Sequence, residues 1–106
     1  MKVERTASAA FTAEFENEQE LRDEHRVNLA FGALRLATTE GFRPDTLLLV
    51  TLRGPWGGEF VAKAKVVAAL PDGIALAVDG NPDEMLARLL ERRVQPPERV
   101  VQRGLQ

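Results

Sequence analysis

Few residues in this chain have the chemistry of a site. His25 is the single histidine and there is no cysteine. A thiolate nucleophile, a thiolate zinc site and a disulfide framework are therefore excluded together. Catalysis by His25 would need an orienting partner and a nucleophile, and its neighbours Asp23 and Glu24 offer only carboxylates in no recognisable motif. Gly54-Pro55-Trp56-Gly57-Gly58 is rich in glycine but lacks the Lys-Ser/Thr and the following helix of a phosphate loop. The remaining chemistry is anion binding. Arg22 and Arg26 are spaced Arg-x-x-x-Arg directly before Asn28, and guanidinium groups grip phosphate bidentately. On an extended strand both would share the face of Asn28, with Glu24 between them partly neutralising the site. No enzyme is expected from these residues.

Composition limits what can surround that chemistry. The 106 residues suit one domain with one modest core, and a 44% hydrophobic, 28% charged composition is that of a globular protein rather than a disordered chain. The net charge of −2 is spread over interspersed acids and bases, so there is no basic stripe of the kind that recruits nucleic acid. Apolar runs such as Leu47 to Val50 are too short to span a bilayer, and no apolar h-region follows Met1-Lys2-Val3-Glu4-Arg5. The expectation is a cytoplasmic domain with no membrane insertion.

The elements that must position the arginines follow from periodicity. Residues 7–16 alternate, with Ala7, Ala9, Phe11, Ala13 and Phe15 on one face, which predicts a half-buried strand. Alternation resumes from Leu21 to Leu29 with Asp23 and His25 as awkward inward members, so a second strand is expected there. A helix over part of 17–26 is the competing reading, because Glu, Gln, Leu and Arg favour it. The stretch Val27 to Leu36 then reads as a strand end, a tight glycine corner at Gly32 and a short strand through Leu34 and Leu36. Strands are also expected over 46–53, 59–70 and from Ile74 to Val78, the last pair joined by a Pro71-Asp72-Gly73 turn in which glycine would accept positive φ. Asn81-Pro82-Asp83-Glu84 starts a helix with an N-cap, proline at the first position and acids at the positive dipole end. Met85, Leu86, Leu89, Leu90 and Val94 form its apolar stripe, and Pro96-Pro97 stops it. The sum is six strands and one closing helix. Its many inward alanines suit a small, tightly curved antiparallel barrel, closed or nearly so.

That order of elements resembles the PilZ domain family. The residues that carry the resemblance run from Ala7 to Leu90: the Asn28-x-Ala30-x-Gly32 corner, the Pro44-Asp45-Thr46 entry to a hydrophobic strand, the Lys63-x-Lys65-Val66-Val67 and Gly73-Ile74-x-Leu76-x-Val78 strands, and the closing helix. The resemblance implies a mainly β fold, a small six-stranded antiparallel PilZ-like barrel with a C-terminal α-helix over residues 1–95, followed by a tail over 96–106. It also implies the family's ligand, cyclic diguanylate (cyclic di-GMP). Family receptors grip it with an Arg-x-x-x-Arg pair ahead of the first strand and an Asp/Asn-x-Ser-x-x-Gly corner.

This chain departs from both motifs. Ala30 stands at the serine position and Ala33 at that of the closing glycine. An unpaired ligand group opposite Ala30 would cost about 1–3 kcal/mol. Ahead of the first strand there is only Arg5, with Lys2 before it, and the Arg22/Arg26 pair lies on the wrong side of that strand. The expectation is a degenerate PilZ-like adaptor in bacterial signalling, such as motility or surface behaviour, that binds another protein and little or no cyclic diguanylate. The alternative is a cyclic diguanylate receptor that uses Asn28 and Gly32 with Arg5, Arg22 or Arg26. The strand over 46–53 is apolar on both faces, so Leu47 and Leu49 would give a sticky outer face. Trp56 is either a lid on the barrel or an interaction anchor, tryptophan being enriched at binding hot spots.

Overall fold

The computed structural model describes residues 1–92. The expected tail over 96–106, the 95/96 boundary, and the roles given to Val94 and Pro96-Pro97 lie outside the described residues. The chain forms β1 (Lys2–Ala7), β2 (Ala10–Glu14), α1 (Glu18–Val27), a 3-10 turn (Leu29–Phe31), β3 (Ala33–Leu36), β4 (Leu47–Arg53), β5 (Glu59–Leu70), β6 (Gly73–Val78) and α2 (Pro82–Leu89). One mixed sheet of six strands, ordered β1-β2-β4-β5-β6-β3, curls into a half-barrel. It is neither fully antiparallel nor closed. β2 runs parallel to β4, Phe11 opposite Val50 and Ala13 opposite Leu52, and β1 and β3 are its two edges. The connection is long enough to permit parallel pairing: β2 reaches β4 only after α1 and β3, a long crossover rather than a hairpin.

The six strands are not the six expected from alternation. The stretch 7–16 breaks at Ser8-Ala9 into a hairpin whose first arm is β1, paired antiparallel to β2. Phe11, Ala13 and Phe15 are buried as expected, whereas Ala7 and Ala9 are exposed. The stretch 21–29 is helix. Asn17 caps it, its side chain accepting the Glu20 N–H at 2.8 Å, with Glu18 and Glu20 in the first turn and His25 and Arg26 in the last. A cap of this kind is worth about 0.5–2 kcal/mol, and the end charges match the helix dipole. An extended strand would instead have turned Asp23 and His25 toward the core. In the helix only Leu21 is fully buried.

The concave side of the sheet holds the core. Phe11, Phe15, Leu34, Leu36, Val50, Leu52, Val66, Ile74 and Leu76 pack there against Leu21 and Leu29 and against Met85 and Leu89 of α2. No buried residue is polar or charged among those described. α2 forms where Asn81-Pro82 places it, with the Asn81 side chain accepting the Glu84 N–H at 3.0 Å. A bulge between Val66 and Ala68 shifts the register of β5. Beyond it Ala68 pairs with Ala75 and Ala69 with Ile74, and Ala68 and Leu70 are half-buried while Ala69 is exposed.

Gly73 differs from its expected turn role, and the Gly54–Gly58 connection is closely packed as well. Gly73 has no positive φ; it opens β6 opposite Leu70, and a Cβ there would sit 2.0 Å from the Leu36 carbonyl oxygen. The Gly54–Gly58 connection is docked on α2 rather than free. A Cβ on Gly54 would lie 1.8 Å from the Leu89 carbonyl oxygen, and one on Gly58 would lie 2.2 Å from that of Arg88.

Candidate functional site

The glycine corner is built by α1 running into the sheet edge. Asn28 ends the helix, its N–H donating to the Glu24 carbonyl at 2.9 Å. Its own carbonyl accepts from the N–H groups of Phe31 and Ala33, both at 3.0 Å, and Gly32 turns the chain into β3 with φ of 75°. The Asn28 side-chain amide donates to the Glu24 carboxylate at 2.8 Å. The amide that would read a base edge is thus already spent inside the protein. Ala30 is exposed with no polar side-chain atom. Ala33 is the first residue of β3, opposite Ala77, where no glycine is required.

The candidate arginines are similarly engaged. Arg22 and Arg26 lie one turn apart on α1, each held by a carboxylate of the same helix: Arg22 Nε to Glu18 at 2.6 Å and Arg26 Nη2 to Asp23 at 3.4 Å. They share a helix face as they would have shared a strand face, but Asn28 is no longer on it. Along α1, Glu18, Glu20, Asp23 and Glu24 outnumber the two guanidinium groups. Arg5 lies on β1. It donates to the carbonyls of Ala7 and Ser8 at 3.2 and 2.9 Å, pairs with Glu40 at 2.6 Å and sits 5.8 Å from the Phe42 ring centroid. It ties the β1–β2 turn to the 37–46 loop, whose Phe42 packs edge-on against Phe11. The five residues Arg5, Arg22, Arg26, Asn28 and Gly32 are not joined by one cradle of converging donors.

His25 faces α2, with Nε2 3.2 Å from the Pro82 carbonyl oxygen and 3.9 Å from the Asp83 carboxylate. Among the described residues, no serine or threonine hydroxyl bonds to it. Two carboxyls are shifted, and surface pairing explains both. Burial works to raise Glu20, but a hydrogen bond from the Met1 ammonium, the Glu16 N–H and the ammonium charge together hold it below the usual range. The hydrogen bond from Arg35 lowers Asp72, against a small opposing effect of burial. Among the described residues no group of three His, Asp or Glu side chains could hold a metal ion.

The apolar chemistry lies on the outer side of the sheet. Leu47 is 71% exposed and Leu49 45%, with Val61 and Val67 over half exposed beside them. Pairing places Leu47 opposite Lys65 and Leu49 opposite Lys63, and Lys65 in turn opposite Ala77. A groove of about 570 Å³ runs across these strands, lined by Leu47, Leu49, Lys63, Lys65, Ala77 and Asp79 among others. Trp56 does not join it. The tryptophan occupies the β4–β5 connection, beyond the opposite end of β4, half-buried with the Arg92 guanidinium 4.5 Å from its ring centroid. Lys63, Lys65, Val61 and Val67 read as outward residues from alternation; what alternation does not carry is that the curled sheet gathers Lys63 and Lys65 with Leu47 and Leu49 around one groove.

Among the described residues, no helix is long and apolar enough to cross a membrane. Comparison of the sequence with protein-family models and with curated proteins gives no match.

Proposed function

We propose that this chain is a degenerate PilZ-like module that acts by binding another protein, as an adaptor in bacterial signalling such as motility or surface behaviour, with weak or no affinity for cyclic diguanylate. The observation that carries this reading is where the unsatisfied chemistry lies. At the corner, Asn28 donates to Glu24 and each candidate arginine is paired to a carboxylate. On the outer face, Leu47, Leu49, Val61 and Val67 are left to solvent. A nucleotide would have to break internal ion pairs and then meet Ala30 where its base edge wants a hydroxyl. A protein partner would gain about 25 cal/mol for each Å² of that apolar face it covers, before the cost of association. Trp56 is the lesser part of the surface, since Arg92 already covers one face of its ring.

Titration calorimetry of the full chain with cyclic diguanylate tests the reading. The expected result is no saturable heat at about 100 μM nucleotide, a level at which a receptor with micromolar affinity is filled. Saturation in the low micromolar range, abolished by R22A/R26A, would establish the receptor reading instead.

A further inference from the structure

We infer that the outer face of β4, β5 and β6 docks an acidic amphipathic α-helix, its apolar side chains on Leu47 and Leu49 and its carboxylates on Lys63 and Lys65. This rests on the protein-binding reading above and names the partner chemistry. Three observations select it.

The first is charge. Lys63 and Lys65 stand in the middle of the apolar surface, opposite Leu49 and Leu47. Neither takes part in an ion pair among the described residues, whereas Arg5, Arg22, Arg26, Arg35, Arg53 and Arg88 all do. Asp79 is the single carboxylate lining the groove, against two ammonium groups. An occupant with apolar groups flanked by carboxylates completes both kinds of surface.

The second is the backbone. β4, β5 and β6 are interior strands, each paired on both sides. Their N–H and C=O groups are used in the sheet, so this face offers side chains only. A segment lying on it cannot join as an extra strand and must satisfy its own peptide groups, which a helix does internally. The three strands span about 10 Å from β4 to β6, and an α-helix with its side chains is about 10–12 Å across.

The third concerns the other occupants. A second copy laid face to face would set Lys63 and Lys65 against their own counterparts, and facing like charges oppose such an interface. An anionic lipid surface attracts lysines too, but it is flat, whereas these residues line a groove, and the chain carries a net charge of −2.

The test uses the full chain and two fluorescent peptides of about fifteen residues, long enough for marginal helicity. Both carry leucines on one helix face; the other face is glutamate in one peptide and lysine in the other. The acidic peptide should bind saturably and move the amide resonances of Leu47, Leu49, Lys63, Lys65 and Ala77, while the basic peptide should not bind. The K63E/K65E variant, altered only at exposed side chains, should weaken the acidic peptide roughly tenfold or more and admit the basic one. Circular dichroism confirms that the variant folds. Absence of saturable binding, equal binding of both peptides, indifference to K63E/K65E, or resonance shifts confined to another surface would overturn the inference. So would a dimer dispersed by Leu49→Asp, or sedimentation of the chain with phosphatidylglycerol vesicles. Cyclic diguanylate titrated into the same sample separates the two levels. Nucleotide binding would overturn the protein-binding reading itself, whereas failure of the peptides without nucleotide binding overturns only the partner chemistry.

Discussion

At the scale of single residues, Gly32 and Asn28 build the corner between α1 and β3. Gly32 is required by its φ of 75°, and nothing crowds its Cβ position, the nearest atom being the Val78 carbonyl oxygen at 3.8 Å. Gly32→Ala should therefore cost only the left-handed backbone penalty, about 1–2 kcal/mol, read from urea unfolding. Ala30→Ser, by contrast, should leave stability within about 0.5 kcal/mol because the site is exposed. It should also fail to create nucleotide binding, since Asn28 and the arginines remain committed to Glu24, Glu18, Asp23 and Glu40. The lowered carboxyls Glu20 and Asp72 give the acid response its sign. A carboxyl depressed in the folded state stabilises it above the unfolded pKa, near 4, and that contribution is lost as pH falls through the lower folded value. The melting temperature should decline below about pH 4, and E20Q/D72N should flatten that decline. Both groups are largely solvated, so the effect is small.

At the scale of elements, the outcome depended on how far local pattern determines each one. β4, β5, β6 and α2 were legible because periodicity and end signals agree: Leu48, Val50 and Leu52 alternate inward, and Asn81-Pro82 starts a helix anywhere. α1 was the failure of alternation. The Leu21-to-Leu29 stretch fits a strand only if Asp23 and His25 face the core, and the Asn17 cap with helix-forming residues decided against it. β1 was missed because Lys2-Val3-Glu4-Arg5-Thr6 buries almost nothing; it is an edge strand held by its pairing to β2. The molecule has six strands because β1 supplies one where the 21–29 stretch forms α1. The direction of β2 relative to β4 had no local signal at all. The bulge at Val67 likewise appears only through its cross-strand partners. The β4–β5 connection yields a sharp prediction. Gly54→Ala drives a methyl into the α2 backbone at Leu89, while Gly41→Ala meets nothing within 4 Å. Denaturation midpoints should drop markedly for the first and hardly at all for the second. Leu89→Ala, which leaves a cavity in the core beneath α2, should cost about 2–5 kcal/mol.

At the scale of the molecule, a curled sheet has two unlike faces, and here they divide the labour. The concave face is filled by α1, α2 and the core side chains. The outer face combines exposed leucines and valines with two lysines that have no ion pair among the described residues, and α1 presents a surface with more carboxylates than guanidiniums. The resemblance to PilZ domains pointed to the corner, because family motifs mark where a ligand is read. The distribution of committed and uncommitted groups points to the other side of the sheet, and that depends on strand order, which no motif contains. The most direct measurement is a two-dimensional amide NMR titration of the full chain with cyclic diguanylate. The account predicts that the resonances of Arg22, Arg26, Asn28 and Gly32 stay in place up to about 1 mM nucleotide, where a micromolar site would be saturated. Saturable shifts of those four residues at micromolar nucleotide would contradict it.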